Sequence, residues 1–450
     1  MQRLTRVLSR VGLIPAAAAT ACLALALRHA LHGALREGAL HALVGVALWA
    51  AILRWPALQP RLAALLVSAI LSIYAAEALL CELTPAVGNA VARVLRARMA
   101  GVSYDVRGPL EVIRDMRREG VQVVPAIPLR TLALPTADGG WVSPVRIGGR
   151  EVFPLSGISR VHTLLDNETG RYGQYDADEH GFSNPPGAWS GAPVSVALVG
   201  DSFTQGCGVP PESNMAAHLR QRFPRTVNLG IACSGPLSEL GELREYGALL
   251  RPRVVIWNYY GNDLVDLDIE KRTLLARYVD PAFRQDLAAQ QDEIDRQMKA
   301  LVDATLGTEL RASARLGRFV RLMRLRNLLG VAVNPAARPP SPDLPLFQRV
   351  IHEARLTVEA WGGRLWFAYL PSWERYARRG QPLDDGREQV LAIAARDGLP
   401  TLDLSELFDR QPNPMELFPY RLNGHYNALG YRLVGVELAD RLAASGLAEP

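Results

Sequence analysis

Lysine is almost missing from this chain: Lys271 and Lys299 are the only two in 450 residues, and arginine carries nearly all of the basic charge. No stretch interleaves those arginines with aromatics in the way nucleic-acid binding requires, and the formal net charge of +5 is modest for this length. A nucleic-acid partner is therefore not expected, and the alanine- and arginine-rich composition reads as genomic bias. Cysteine is scarce too, with four residues. Cys22 and Cys81 lie in apolar stretches, while Cys207 and Cys233 lie much further along. No CxxC or Cys/His cluster offers metal ligands, so neither a metal nor another cofactor is expected. Charged residues make up 21% of the chain, which is not a disordered composition. The length exceeds one typical core, so two or three units are expected.

Long apolar runs, by contrast, open the chain at residues 11–27, 39–53 and 62–80. A spanning helix needs about 20 apolar residues, and no fewer than about 17. The first and third runs reach that range, with Glu77 near the end of the third; the second is short and contains His41. Residues 1–82 therefore read as a membrane anchor of two or three transmembrane helices, against the alternative of a buried helical hairpin. A cleaved signal peptide is the alternative for the first run, but no clear small-residue cleavage pattern marks it and more apolar sequence follows. Arg3, Arg6 and Arg10 precede the first run, and Arg54 and Arg61 lie between the second and third. Positive charge marks the cytoplasmic side, so an odd number of spans leaves everything after Glu82 outside.

Residues 83–192 read as an accessory or linker region. A short helix is predicted at 110–119, ending at Gly120, with strands at 121–124 and within 141–155 around a Gly148–Gly149 turn. The polar run from Tyr175 to Asn184 is dense in groups able to bind sugar hydroxyls; equally, it could be a connector that packs Phe182 onto the next domain.

From Val194 onward, strands alternate with helices. Strands are predicted at 194–199, 226–231, 254–260, 365–370 and 400–404, and helices at 213–223, 237–250, 346–361, 387–396 and 428–444. That alternation argues a parallel sheet covered on both faces, with ligands beyond the carboxyl ends of the strands. Polar groups fall at those ends: Gly200-Asp201-Ser202-Phe203 after the first strand, Asn228 to Pro236 after the second, Gly261-Asn262-Asp263 after the third, and His425 just before the last helix. A serine nucleophile needs a base, the role histidine fills near neutral pH. It also needs donors aimed at the developing oxyanion, which the N–H groups of Ser202 and Cys233 and the amide of Asn262 could supply.

Over residues 190–445 these motifs resemble, in order, the four blocks of the SGNH (GDSL-like) hydrolase family in its membrane-anchored bacterial form. The resemblance implies a flavodoxin-like three-layer α/β/α parallel sheet at 193–450, preceded by the transmembrane helices and carrying a helical insertion at 264–345. It implies Ser202 as nucleophile, Asn262 as an oxyanion donor and His425 as base. Cys233 stands where the family has its oxyanion-hole glycine, which is tolerable if its φ is negative; Gly235 is the alternative donor. Asp201 and Asp263 are further candidates for contact with substrate, although each could instead organise its turn. The family's acid before the histidine is absent, since Leu422 and Asn423 occupy those positions. Asp403, a backbone carbonyl or Asn423 itself would then have to orient His425. A Cys207–Cys233 disulfide is permitted outside the cytoplasm.

Within the insertion, Leu316, Phe319, Val320 and Met323 share a helical face, with Arg315, Arg318, Arg321 and Arg324 mostly away from it. Such a helix lies on a membrane surface, grips an anionic polymer, or packs on the domain. The expectation is a serine-dependent O-acyl ester hydrolase or O-acetyltransferase of the inner membrane, facing the periplasm and acting on an acylated envelope or exported carbohydrate. The competing reading is a non-catalytic polysaccharide-binding or assembly protein that keeps the fold. A phospholipase or thioesterase would need an apolar acyl groove.

Overall fold

The computed structural model describes residues 13–31, 35–55, 57, 59–83, 90–136, 140–191, 193–309, 312–329, 342–377 and 386–446. They fall into two units, Met1–Leu83 with Phe319–Leu325, and Thr84–Arg318 with Arg326–Pro450.

In the larger unit, β1 (Val196–Gly200), β2 (Thr226–Asn228), β3 (Val254–Tyr259), β4 (Arg364–Tyr369) and β5 (Thr401–Asp403) form one parallel sheet in the order β5-β4-β3-β1-β2. Val254 lies opposite Val196 on one side and Arg364 on the other. Val196, Leu198, Val254, Ile256 and Trp366 join a core with Met215, Leu219, Val434 and Leu438. Their neighbours Ala197, Val199, Val255, Trp257 and Leu365 join a second core with Leu237, Leu240, Phe347 and Val350. Successive strand residues face opposite sides, so a sheet buried on both faces demands apolar residues at every position. This is the flavodoxin-like three-layer α/β/α architecture. Met215–Arg220 and Ala428–Ser445 supply one helical layer, and Pro236–Glu242, Leu344–Glu359 and Arg387–Arg396 the other.

The segment before β1 packs on the sheet: Val112, Val124, Leu129, Phe153, Leu155 and Phe182 belong to the same core as β1 and β3. The predicted helix occurs at Pro109–Arg118, and Gly148 and Gly149 turn the hairpin Arg146–Ile147/Arg150–Glu151. His162–Leu164 pairs in parallel with Val123–Pro125 and antiparallel with Gln174–Asp176. The polar run 175–184 proves structural. Buried Asp178 accepts hydrogen bonds from the N–H groups of His180 and Phe182, from Asn184 Nδ2 and from Trp189 Nε1. Asn184 in turn holds both the N–H and the C=O of Asn228. These donors are spent inside the fold and are not free for sugar hydroxyls. The insertion joins this core as well: Gln291–Glu309 contributes Ile294, Met298 and Val302, and Asp295 accepts from the Ser159 hydroxyl at 2.6 Å.

The smaller unit contains the helices Leu13–Leu31, Leu35–Arg54 and Gln59–Leu83. Among the described residues one helix, over Gln59–Cys81, is long and apolar enough to cross a membrane. The apolar parts of the other two, Pro15–Ala24 and Ala42–Ala51, are shorter than the roughly 20 residues a span requires. Length and composition therefore support one span where two or three were expected. Glu77 of the long helix is fully buried. Its carboxylate accepts the N–H groups of Arg324 (3.1 Å) and Leu325 (2.8 Å), at the start of the helix Met323–Leu328. A buried carboxylate is satisfied by such a helix start, where N–H groups lack partners within the helix. Tyr74 donates to the Val320 carbonyl and packs its ring on Phe319. Part of the arginine-bearing segment thus packs on the apolar helix.

Candidate active site

Ser202 owes its position to a turn that only glycine permits. Gly200 ends β1 at φ +151°, and a Cβ there would meet Thr204 Oγ1 at 2.3 Å and the Asn258 carbonyl at 2.7 Å. Asp201 Oδ1 then accepts the Phe203 N–H at 2.9 Å and caps the short helix Ser202–Gln205. Asp201 is fully buried, and that burial raises its pKa. Asp263 is also fully buried and accepts the Tyr260 N–H at 3.0 Å. Neither carboxylate can touch a substrate; both organise their turns, and the expected substrate contacts are withdrawn.

His425 Nε2 lies 2.8 Å from Ser202 Oγ. The ring is held by the turn before Ala428–Ser445, where Asn427 caps the helix by accepting the N–H groups of Leu429 and Gly430. It packs on Phe203, which stacks in turn on Tyr260. None of the groups expected to orient the ring does so. Asn423 is exposed and its Nδ2 donates to Glu374, while Asp403 is bound by Arg387 and Ser405.

Two carboxylates that the sequence reading missed face the ring instead. His425 Nδ1 lies 3.3 Å from Glu168 Oε2 and 3.4 Å from Asp166 Oδ2, in neither case with the alignment of a full hydrogen bond. Glu168 Oε2 also accepts the His425 main-chain N–H at 2.7 Å, and Glu168 Oε1 pairs with Arg93 at 2.7 Å. Burial works against a charged imidazole, yet the two carboxylates outweigh it and hold the His425 pKa well above its usual value. Burial likewise opposes ionisation of Glu168, but His425 and Arg93 outweigh it and hold its pKa below the ordinary carboxylate range. No local signal marks this pair in the sequence: they sit in an unremarkable polar turn, and Glu168 is 257 residues upstream of the histidine.

The candidate oxyanion donors converge in part. The N–H groups of Ser202 and Cys233 have no acceptor among the described residues. Cys233, however, adopts φ +57°, contrary to the negative φ expected of a non-glycine residue there. The Asn262 amide is engaged by two buried acids: its Nδ2 donates to Asp266 at 2.9 Å, and it also hydrogen-bonds Asp201. The Gly235 N–H is not available, because it donates to Glu270 at 2.8 Å. Cys207 and Cys233 are free thiols, so the expected option of a disulfide is not taken up.

A model of the GDSL-like lipase/acylhydrolase family matches residues 198–433. No curated protein matches the chain. Among solved structures, it is similar to a lipase/acylhydrolase from Enterococcus faecalis, at 12% identity and a TM-score of 0.33, covering 56% of this chain and 96% of the other. It is similar to the acetyl xylan esterase AlAXEase at 12% identity and a TM-score of 0.33, covering 56% and 99%. It is also similar to a two-domain esterase active on acetylated mannans, at 13% identity and a TM-score of 0.31, covering 58% and 52%.

Proposed function

The chain belongs to the GDSL-like lipase/acylhydrolase family, and on that premise we propose a serine ester hydrolase that removes or transfers O-acyl groups on a cell-envelope or exported carbohydrate. The observation that carries this reading is the 2.8 Å contact between Ser202 Oγ and His425 Nε2 at the carboxyl ends of the strands. As neutral His425 takes the hydroxyl proton, Ser202 Oγ forms a bond to the acyl carbonyl carbon. The carbonyl oxygen becomes an oxyanion facing the Ser202 and Cys233 N–H groups. When the intermediate collapses, the carbon–oxygen bond to the alcohol breaks, and His425 gives its proton to that leaving oxygen. An acyl-serine remains. Water, deprotonated by His425, then releases the acid and regenerates Ser202. A second sugar hydroxyl in place of water would make the same site an acyltransferase.

Tyr260 and Trp373, both partly exposed, follow β3 and β4, and such aromatic rings favour a sugar partner. The apolar Gln59–Cys81 helix would hold the enzyme at a membrane. Arg54 and Arg61 flank its start, and no Arg or Lys follows it before Arg93. That bias points the catalytic unit away from the cytoplasm, into the periplasm of an inner-membrane protein. The binding-protein alternative rested on Asn423, and two carboxylates at His425 Nδ1 remove the need for that residue.

The test is acetate release by the solubilised full chain from 4-nitrophenyl acetate and from an acetylated polysaccharide, beside Ser202→Ala. Loss of at least about 10³-fold in turnover on substitution is expected. Equal rates in the two proteins would remove the serine mechanism.

A further inference from the structure

A histidine that takes a proton at Nε2 must keep its other nitrogen protonated and its ring fixed, which is the task of a third group. We propose that Glu168, with Asp166 as a second carboxylate, orients His425 in place of the acid missing at positions 422–423, so that a segment outside the family-matched residues completes the active site. The proposal rests on the serine-hydrolase reading above.

The two residues come from the turn between His162–Leu164 and Gln174–Asp176, whereas the family match begins at residue 198. Their environments differ in a way that assigns their roles. The Glu168 side chain is 6% exposed and Asp166 38%. A buried carboxylate is costly unless it is paired and fully hydrogen-bonded. Glu168 is held by Arg93 and by the main-chain N–H of His425, with the ring's Nδ1 3.3 Å away. Arg93 also donates to the Asn423 carbonyl at 2.8 Å, so one guanidinium clamps the carboxylate and the turn bearing the base. Asp166 makes the complementary link: its Oδ1 accepts the N–H of Gly208, just beyond the nucleophile helix, at 2.9 Å. The acid turn thereby grips both halves of the Ser202–His425 pair.

Further contacts fix the turn itself. Tyr104 donates to the Asn167 carbonyl at 2.7 Å, Asn167 Nδ2 to the Asp105 carbonyl at 2.9 Å, and Tyr420 to the Thr169 carbonyl at 2.7 Å. The 3.3 and 3.4 Å contacts at Nδ1 are loose, as catalytic hydrogen bonds in a free enzyme commonly are before the transition state draws them in.

The charges around the ring are Asp166 and Glu168 from this turn, Arg93 behind Glu168, and buried Asp201 beneath Ser202; Tyr260 and Tyr426 stand behind Phe203. Two carboxylates stabilise the imidazolium, but the base must be neutral, so kcat/KM rises only as pH climbs through a raised His425 pKa. Removing one carboxylate lets that proton leave at lower pH.

The experiment compares kcat/KM for 4-nitrophenyl acetate against pH in the full chain, Asp166→Asn, Glu168→Gln and Glu168→Asp, with thermal melts and Ser202→Ala alongside. The expected result for Asp166→Asn is a rising limb displaced about one unit to lower pH with a small loss of maximal rate. Glu168→Gln is expected to lose about 10²- to 10⁴-fold in kcat, partly rescued in Glu168→Asp. A purely structural role would lower the melting temperature and leave the limb in place. Should Glu168→Gln fail to fold, the limb of Asp166→Asn decides alone. An unmoved limb, or a folded Glu168→Gln within twofold of the parent, overturns the proposal while leaving the serine mechanism intact. A parent chain with no Ser202-dependent turnover overturns the serine-hydrolase reading, and this proposal with it.

Discussion

Cys233 holds a backbone conformation that costs a side-chain-bearing residue roughly 1–2 kcal/mol. Its N–H has no acceptor among the described residues. Cys233→Gly is therefore expected to raise stability by about 1 kcal/mol, because the gain at positive φ exceeds glycine's extra unfolded-chain entropy. Esterase activity should be retained, and paired denaturation and rate measurements check both. Burial pushes the Cys233 thiol to about 11, so it stays protonated and unreactive near neutral pH. At this scale short motifs marked Ser202 and His425, which the structure brings within 2.8 Å of each other. No such motif marked Glu168 and Asp166. Leu422 and Asn423 announced a missing acid, and the carboxylates that lie 3.3 and 3.4 Å from His425 Nδ1 come from a turn that carries no pattern.

Among elements, the loop after β2 rests on buried acids. Glu270 accepts the N–H groups of Gly235 and Leu237, at the start of the Pro236–Glu242 helix, and the Ser238 hydroxyl. Burial raises its pKa from 4.5 to about 7, against the opposing pull of those donors. A folded-state pKa above the unfolded value means that the fold keeps a proton the unfolded chain has released. The stability from this residue is thus fully present below about pH 4.5, falls as pH rises, and is lost above about 7, a difference on the order of 3 kcal/mol. Glu270→Gln should flatten the stability profile between those limits, as thermal melts across pH would show; an unchanged slope would contradict this. The strands were easy to read because burial on both faces forces continuous apolar runs. The 175–184 turn was ambiguous because Asp178, Asn184 and Trp189 look like surface groups until their mutual hydrogen bonds are seen.

For the whole molecule, the proposal places part of the active site outside the family-matched residues 198–433. A chain cut to 193–450 would lose Asp166, Glu168 and Arg93, and would expose Tyr246 where Phe182 and Trp189 now pack. It is expected to aggregate or to be inactive, whereas a chain beginning just before Ala90 should stay soluble and active; size-exclusion chromatography and ester turnover separate the two cases. The full chain should remain in the membrane pellet after alkaline carbonate extraction. Composition told of the apolar helices, and among the described residues one of them, over Gln59–Cys81, is long and apolar enough to cross a membrane. The central claim, that Ser202 is a nucleophile activated by His425, is tested most directly by treating the full chain with a fluorophosphonate and mapping the adduct by mass spectrometry. The account predicts a single adduct on Ser202, absent from Ser202→Ala and strongly diminished in His425→Gln; an unlabelled parent chain, or labelling indifferent to His425, would contradict it.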